Sequence, residues 1–414
     1  MRLTHLTLTN FRNFARAELD LPPGISVFWG ENAQGKTNLL EAIYLLATTR
    51  SPRAASDAEL VRWDAVEDGL GVMRVAGRAL RGRAELHVEV TVMAREAESS
   101  PLGEAAAHAA KRLRVNGLPR RASEVIGHIL AVLFTAQDID LLTGSPAGRR
   151  RYLDITVAQV DHAYLRALQR YQRVMQQRNV LLRRIGEGRA RPEQLLPWNE
   201  ELVVQGTTIT LARAAAVAEL DRQARDVYAA LSEGREELTV RYAPQLAEEC
   251  GGSLPTTPEA LRNRFREALQ RRQGREIAAG VSLVGPHRDD LRFAIGGRPA
   301  DSFGSRAQQR TAALALRLAE ARFLRDRAGE TPVLLLDDIL SELDERRRAA
   351  VLHTLTDAEQ AFITTAEIDR FSPDFLRQAA VFRVAGGRVQ FHLTVEGQDT
   401  TPSAPSVVPA PAEL

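Results

Sequence analysis

The segment Gly30–Thr37, GENAQGKT, decides the fold of this 414-residue chain. It matches the pattern G-x-x-x-x-G-K-[ST], in which the glycines let the backbone approach phosphate groups closely. An apolar run before it, Ile25–Trp29, predicts a buried strand, and apolar residues at helical spacing after it predict a helix over Asn38–Thr48. This order places backbone amides and the positive end of a helix dipole at the loop. The segment therefore predicts a site for nucleotide phosphates.

Two side chains of this loop have predicted roles. Lys36 is expected to contact the β- and γ-phosphates of ATP, and Thr37 is expected to bind Mg²⁺ through its hydroxyl group. Lys36 is one of two lysines among the 55 lysines and arginines, and an ammonium group reaches phosphates where a planar guanidinium fits poorly. The other residues predicted to bind the nucleotide are Gly30, Glu31, Asn32, Ala33, Gln34, Gly35 and Asn38.

A second apolar run ends in two carboxylates. Val333–Asp338 reads VLLLDD and predicts a buried strand whose carboxyl end lies beside the phosphate loop. A carboxylate is needed there to hold Mg²⁺, so we assign metal binding to Asp337. Asp338 is assigned to polarise the attacking water as a general base.

A helix start led by a serine precedes this strand. Ser305–Arg310 (SRAQQR) leads into a helix predicted over 308–327, and Ser341–Asp344 (SELD) follows the two aspartates. Each segment alone is typical of a helix N-terminus. Their order around the metal strand resembles the layout of ABC-class ATPases, in which ATP lies between the phosphate loop of one subunit and the serine-led helix of another.

Both ends of the chain contribute strands to the predicted core, and helices separate them. Helical spacing from Arg149 and again from Leu202 predicts two long helices, which a loop over 186–197 joins into an antiparallel hairpin. Strand patterns return at Val281–Val284 and in a hairpin over 291–299. We therefore predict an α/β fold with a helical insertion.

Composition bears on location and partners. No stretch approaches the roughly 20 apolar residues of a membrane helix, so no membrane partner is expected. The first residues lack the apolar core of a signal peptide, and the single cysteine, Cys250, fits a reducing compartment, so the expected location is cytoplasmic. A net charge of +2 gives no general attraction to nucleic acid.

Several segments resemble, in the same order, those of the RecF family, bacterial recombination and repair proteins related to the SMC proteins. Besides the phosphate loop with NLLEAI, they are FRNF (Phe11–Phe14), RSPRAASDAELVRW (Arg50–Trp63), FTAQDIDLLTGSPAGRRRYLD (Phe134–Asp154), GPHRDDL (Gly285–Leu291), SRAQQRTAALALRLAE (Ser305–Glu320) and LLLDDILSELDERRR (Leu334–Arg348). GPHRDDL and PAGRRRYLD are not general features of ABC ATPases, so the similarity is to the family itself.

The resemblance implies an ABC-type ATPase head, a mixed sheet with a RecA-like core, over 1–145 and 280–396. It also implies a helical arm inserted at 146–279. Residues 397–414 are rich in Pro, Ser, Thr and Ala, which predicts a disordered tail.

The resemblance further implies a weak, DNA-stimulated ATPase that requires Mg²⁺ and uses hydrolysis as a switch. ATP would close a homodimer on DNA at gaps or single-strand/double-strand junctions, without sequence preference and in association with the nucleoid. The mediators RecO and RecR would act with it to load RecA onto single-stranded DNA. Ser305, Gln308 and Asp344 would act on the nucleotide of the other subunit, and Gln137 would be a metal ligand and a catalytic residue.

Two positions depart from the family pattern. Ala307 stands where the signature usually has glycine, and its methyl group either weakens closure across the dimer or, since alanine favours helix, has no effect. Ala366-Glu367 follows Thr364-Thr365 where relatives often have a third threonine or an aspartate. The identity of the γ-phosphate switch after this strand is therefore open, and we favour Thr365 as the catalytic residue.

Arginines are concentrated in the predicted arm. Residues 149–191 contain eleven arginines and three acidic residues, and 262–275 are also basic. Guanidinium groups along a helical insertion suit contacts with a phosphate backbone, which give affinity without sequence preference. A solvated face in an arginine-rich chain gives the same pattern, and the sequence leaves both interpretations open.

Three other functions share parts of the pattern. The nucleotide-binding subunit of an ABC transporter needs neither GPHRDDL nor an arginine-rich hairpin. An SMC-like chromosome organiser needs far longer coiled coils, whereas this insertion returns after roughly forty residues. A nuclease on the same head needs a downstream acidic cluster for two metal ions, and we find no such cluster in the sequence.

We predict that Lys36→Arg keeps the positive charge but loses ATP binding, because a planar guanidinium does not fit the place of the ammonium group. Calorimetric titration with ATP measures the loss, and Lys111→Arg, at the other lysine of the chain, is the control. Unchanged ATP affinity in Lys36→Arg would contradict the assignment of the phosphate loop.

Overall fold

The fold is described from a computed structural model of the chain, which defines residues 1–67, 70–95, 109–249, 254–343, 347–348, 351–352, 355 and 358–393. The strands are β1 (Arg2–Phe11), β2 (Phe14–Asp20), β3 (Gly24–Trp29), β4 (Val66–Glu67), β5 (Leu70–Arg81), β6 (Ala84–Arg95), β7 (Ala109–Val115), β8 (Leu118–Arg120), β9 (Ala131–Thr135), β10 (Leu238–Ala243), β11 (Asp290–Ile295), β12 (Arg298–Pro299), β13 (Val333–Asp337), β14 (Gln360–Thr365), β15 (Ala379–Ala385) and β16 (Arg388–Leu393). The α-helices are α1 (Lys36–Thr48), α2 (Ala122–Val125), α3 (Asp140–Thr143), α4 (Pro146–Ala158), α5 (His162–Gly186), α6 (Leu196–Ser232), α7 (Gln245–Glu249), α8 (Pro258–Ala279), α9 (Ala300–Phe303), α10 (Arg306–Ala328) and α11 (Pro373–Arg377).

A mixed sheet of six strands, in the order β16-β15-β3-β14-β13-β9, forms the centre of the molecule. Its neighbouring strands are parallel except for the pair β15 and β16. Since the carboxyl ends of parallel strands meet at one edge, β3 leads into the phosphate loop at the same edge where β13 ends in Asp337. This arrangement confirms the predicted α/β fold.

A second, antiparallel sheet of seven strands has the order β2-β1-β5-β6-β7-β8, with β4 beside β5. Helix α1 lies between the two sheets and is buried along nearly its whole length. Its apolar residues share one core with Leu6 and Val75 of the antiparallel sheet and with Phe28 and Leu335 of the mixed sheet. This packing fixes the position of the loop at the N-terminus of α1. We call the two sheets, α1 and α10 the head.

The helical insertion, here called the arm, consists of α4, α5, α6 and α8. Helices α5 and α6 pack side by side as the predicted hairpin, and α6 also packs on α10 of the head. The helix predicted from Arg149 onward is interrupted, because α4 ends at Ala158 and the side chain of Asp161 caps α5 at the backbone N–H of Tyr164. In the described ranges no helix is long and apolar enough to cross a membrane.

The strand predicted at Val281–Val284 is wrong. Side chains, rather than a neighbouring strand, bind the backbone of this segment. The N–H of Ser282 donates to Asn179 Oδ1 at 2.8 Å, and the N–H of Leu283 donates to Glu276 Oε1 at 2.7 Å.

A small sheet, β10-β11-β12, links the two predicted domains. Leu238–Ala243, inside the predicted arm range, pairs antiparallel with Asp290–Ile295, inside the predicted head range. The domain limits at 146 and 279 remain predictions, and the predicted tail at 397–414 lies outside the described residues.

Buried charges hold the helices of the arm together. The fully buried guanidinium of Arg178 on α5 donates to Glu276 Oε2 on α8 at 2.5 Å, to Asn199 Oδ1 on α6 at 2.8 Å and to Ser282 Oγ at 2.8 Å. Replacing one partner of such a pair leaves an uncompensated charge in the protein interior. The Arg178 network therefore fixes how three helices pack.

We predict that Glu276→Ala lowers the free energy of unfolding by about 3–5 kcal/mol, because Arg178 then remains buried without a counter-charge. Urea denaturation followed by circular dichroism measures the change. Glu200→Ala is the matched control, since Glu200 pairs with Arg266 at the exposed surface and such pairs contribute at most about 1 kcal/mol. Equal losses in the two variants would contradict a structural role for the buried pair.

Candidate nucleotide-binding site

The glycines of the phosphate loop are required by its packing. Gly30 has φ 156°, and a Cβ atom there would lie 2.2 Å from the carbonyl oxygen of Val384. Gly35 has φ 111°, and a Cβ atom would lie 2.6 Å from the amide of Asn13. A larger residue at position 30 would displace the backbone of β15, and one at position 35 would displace the side chain of Asn13, so the loop geometry depends on glycine.

Lys36 folds back over the loop that contains it. Its Nζ donates to the carbonyl oxygens of Gly30 at 2.7 Å and Glu31 at 2.8 Å, and its side chain is buried. Burial lowers the pKa of Lys36 below its usual 10.5, while the charges of Asp338 and Asp337 oppose that shift. The ammonium group is thus held at the loop, near both carboxylates.

Asp337 accepts hydrogen bonds from two threonine hydroxyl groups, one of which belongs to the phosphate loop. Thr37 Oγ1 donates to Asp337 Oδ1 at 2.8 Å, and Thr364 Oγ1 donates to the same oxygen at 2.9 Å. Burial raises the pKa of Asp337 above its usual 3.8, although both hydrogen bonds favour the carboxylate. One carboxylate beside threonine hydroxyls is a set of hard oxygen donors, which fits Mg²⁺.

Asp338 lies one residue further, with an exposed side chain and a left-handed backbone, φ 51°. Its backbone N–H donates to Thr364 Oγ1 at 2.9 Å. Thr364 therefore contacts both aspartates, although the sequence interpretation gave it no role. The register of β13 and β14, which pairs Asp337 with Thr364, is the signal that identifies it.

A cleft of about 650 Å³ opens beside the loop. Asn13, which lines it, donates to the carbonyl oxygen of Gln34 in the loop and accepts from the amide of Asn38 on α1. Trp63 also lines the cleft, and its side chain is 87% exposed. Sequence reasoning assigned no function to Trp63, which is the most exposed large apolar side chain among the described residues.

A buried carboxylate on α1 orders one wall of this cleft. Glu41 accepts hydrogen bonds from Arg12, Ser51 and Arg53. Burial favours the neutral form, but these bonds outweigh it and lower the pKa of Glu41 below its usual value. Arg53 in turn donates to Asn38 Oδ1 at 2.7 Å, so the charged network reaches the residue after the loop.

The serine-led helix lies apart from the phosphate loop within one chain. Ser305 and Gln308 form a reciprocal cap at the start of α10, and Gln308 Nε2 also donates to Glu236 Oε1 at 2.6 Å. Both residues line a separate cleft of about 500 Å³. No residue of the loop lines that cleft, and Asp344 lies outside the described residues.

Gln137 follows β9 and Thr365 is the last residue of β14, and both of these strands pair with β13, which ends at Asp337. Gln137 is exposed and follows β9, whose last residue, Thr135, pairs with Asp337. Thr365 Oγ1 exchanges hydrogen bonds with the backbone of Glu367 at 3.0 and 3.1 Å. The catalytic roles of Gln137 and Thr365 remain predictions.

Known proteins share this fold. The family described as "RecF/RecN/SMC N terminal domain" matches residues 2–385. The head of an SMC protein bound to a winged-helix domain of ScpA has a TM-score of 0.50 at 14% identity, covering 96% of this chain and 98% of that one, and shows the fold alone. The fold and site together define an ABC-type ATPase head of the RecF/RecN/SMC class.

Relatives narrow the class to one family. A DNA replication and repair protein RecF from Roseiflexus castenholzii is 44% identical over 398 residues, covering 94% of this chain and 99% of its own length. The RecF of Bacillus subtilis is 36% identical with the same coverage. A solved "recombination mediator protein RecF-ATP in RecFOR pathway" has a TM-score of 0.80 at 30% identity, over 94% of this chain and 97% of that one. The chain belongs to the RecF family.

We predict that Thr364→Val lowers Mg²⁺ affinity about tenfold, because Asp337 loses a hydrogen bond that orients it. Calorimetric titration of Mg²⁺ into the ATP-saturated protein measures the effect. Thr365→Val is the matched control, since that hydroxyl bonds to Glu367 rather than Asp337, and it should leave Mg²⁺ affinity unchanged. A loss in the control but not in Thr364→Val would show that the wrong threonine supports the metal ligand.

Proposed function

We propose that this chain is an ATP-dependent DNA-binding protein of recombinational repair, in which Mg²⁺-ATP joins two copies on DNA. The observation that carries the proposal is the contact of 2.8 Å between Thr37 and Asp337 at the phosphate loop. It joins residues 300 positions apart into a single set of oxygen donors in a RecF-family chain. Solved RecF relatives described as complexes with ATP support the choice of nucleotide.

Each residue proposed to act at the phosphate loop has a separate role. Lys36 binds the β- and γ-phosphates, and Thr37, Asp337 and Gln137 hold Mg²⁺, which neutralises phosphate charge when bound. Asp338, exposed and with its backbone fixed by Thr364, orients the attacking water. We propose that hydrolysis is slow and stimulated by DNA, and that Thr365 senses the γ-phosphate.

The nucleoside part of ATP occupies the cleft beside the loop. The cleft touches the loop through Asn13 and Asn38, so it is open to a nucleotide whose phosphates lie at Gly30–Thr37. The exposed ring of Trp63 offers a flat apolar surface for the base.

A second copy completes the site. Ser305 and Gln308 lie at a helix N-terminus away from the loop of their own chain, where backbone amides favour an anion. An isologous dimer would bring this N-terminus to the γ-phosphate held by the partner. Asp344 is proposed to act at the same place.

The arm supplies cations for a phosphate backbone, but not all of its arginines are available. Arg149 pairs with Asp290, and Arg178 is buried with Glu276. The exposed arginines of 160–191 are Arg166, Arg170, Arg173, Arg183, Arg184, Arg189 and Arg191. Contacts from these residues would give affinity for DNA without sequence preference.

The pathway is proposed from the relatives. Solved RecF proteins are described as recombination mediators of the RecFOR pathway, so we propose RecO and RecR as partners of this chain. Loading of RecA onto single-stranded DNA at gaps and single-strand/double-strand junctions follows as the outcome, in the cytoplasm and at the nucleoid.

We predict that Ser305→Arg still binds ATP as a monomer but fails to dimerise, because the arginine blocks the facing γ-phosphate. Light scattering with ATP and Mg²⁺ measures the mass, and fluorescence anisotropy on gapped DNA measures whether binding is lost with the dimer. Ser145→Arg is the matched control, since Ser145 is also an exposed serine at a helix start.

A dimer of Ser305→Arg with ATP would contradict the shared site. A monomeric unsubstituted protein that binds gapped DNA equally well without ATP would contradict the proposed function as a whole.

A further inference from the structure

A cavity of about 370 Å³ lies between the head and the arm. The end of α1 and the residues after it, Thr48–Arg50, form the head side, with part of α2. Helices α4, α5 and α6 and the GPHRDDL segment form the arm side. None of its lining residues belongs to the phosphate loop or the serine-led helix, so this cavity is separate from the nucleotide site.

The interior of the cavity is mainly apolar. Ile155 on α4, Leu165, Leu168 and Met175 on α5 and Ile209 on α6 line it. Volumes of a few hundred Å³, apolar walls and a small number of charged groups are typical of sites for small organic groups. The cavity is larger than an inorganic anion needs.

Arg50, Arg150 and Arg151 line the cavity, and in the described part of the chain none of them forms an ion pair with an acidic side chain of the lining. Arg150 donates to the carbonyl oxygen of Asp289 at 2.8 Å, and Arg151 donates to that of Ser51 at 2.9 Å, which are neutral acceptors. Within the described residues the exposed side chain of Arg50 makes no hydrogen bond or ion pair. The lining therefore carries positive charge from both the head and the arm.

The carboxylate of the lining does not cancel this charge. Asp154 accepts from Arg213 at 2.7 Å and from Tyr164, and Arg213 is itself buried. Burial, together with the charge of Arg213, lowers the pKa of Arg150 despite the nearby Asp290, Asp289 and Asp154. An anion at the arginines would relieve this repulsion.

We propose that the cavity binds one unpaired nucleotide of a DNA strand. Arg50, Arg150 and Arg151 take its phosphate, and the base lies against Leu168 and Met175. A nucleotide combines an anion with a flat, largely apolar ring, which are the two properties that the lining matches. The amides of Gln169 and Gln172, also in the lining, can bond the edge of the base.

This site would distinguish single-stranded from paired DNA. A base inside a duplex is stacked and cannot enter a cavity without being flipped out, which requires energy. An unpaired base at a gap enters at lower cost. The inference rests on the proposed DNA binding and names the place where a single-stranded segment is recognised.

The test fills the cavity without changing its charge. Gln172 is exposed at the lining, so Gln172→Trp should fold and cover the space that the base needs. Gln177→Trp is the matched control: it is exposed on the same helix, about 140° around the axis, and does not line the cavity. Circular dichroism and ATP affinity, measured on both variants, verify the fold.

Fluorescence anisotropy with ATP and Mg²⁺ then compares gapped DNA with blunt duplex. Gln172→Trp should weaken binding to gapped DNA about tenfold, the scale of one lost base contact, and leave duplex binding unchanged. Gln177→Trp should change neither. Arg50→Ala should reduce the slope of log affinity against log salt for gapped DNA by about 0.7, as expected for one single-strand phosphate contact.

Three outcomes would overturn this proposal alone. One is unchanged binding of gapped DNA by a folded Gln172→Trp, with the unsubstituted protein binding normally, which leaves the proposed function intact. Another is an equal loss on gapped DNA and duplex. The third is binding of free deoxyadenosine monophosphate as tight as that of gapped DNA and equally sensitive to Gln172→Trp, which would assign the cavity to a free nucleotide. An unsubstituted protein that bound neither DNA would refute the proposed function and this inference together.

Discussion

The rest of the fold depends on the hydrogen bond between Thr37 and Asp337, which joins the phosphate loop to the end of β13. The two residues lie 300 positions apart, and their contact of 2.8 Å requires the second half of the chain to return to the first. Strand β13 must therefore pair between β9, which precedes the arm, and β14, which follows it. The arm leaves the head after β9 and returns to it before β13, and the packing of α6 on α10 holds the arm against the head.

The packing of the arm uses buried charge as well as apolar surface. Arg178 and Arg213 are almost completely buried, and each contacts residues from at least two other segments. Burial disfavours an isolated charge, so losing one of these partners destabilises the packing of the others. A helical arm fixed in this way can carry exposed arginines on its surface without losing its own geometry.

Patterns over short stretches of the sequence predicted the features that depend mainly on residues close together in the chain. The phosphate loop, the strands before it and at VLLLDD, and the α5–α6 hairpin follow from spacing alone, and the motif order led to the family. The break at Asp161 and the absence of a strand at Val281–Val284 depend on contacts with Tyr164, Asn179 and Glu276. Such contacts are set by tertiary structure, which apolar periodicity does not record.

The candidate site also contains some residues that the sequence predicted and others that only the structure identified. Lys36, Thr37 and Asp337 were predictable because a short motif and a strand end specify them. Thr364 required the register of two strands, and Trp63 required the exposure of one side chain in the fold. The eleven arginines of 149–191 looked equivalent in the sequence, yet Arg149 is held in an ion pair with Asp290 of β11, and Arg178 in a buried pair with Glu276 of the arm.

Helix α1 gives the fold a mechanical property. It begins at Lys36, is 13 residues or about 20 Å long, and ends at Thr48, which lines the cavity between the head and the arm. Sheets pack against it on both sides, which leaves it little room to bend. A displacement at Lys36, where the phosphate loop ends, would therefore also move the opposite end, where Arg50 follows the helix.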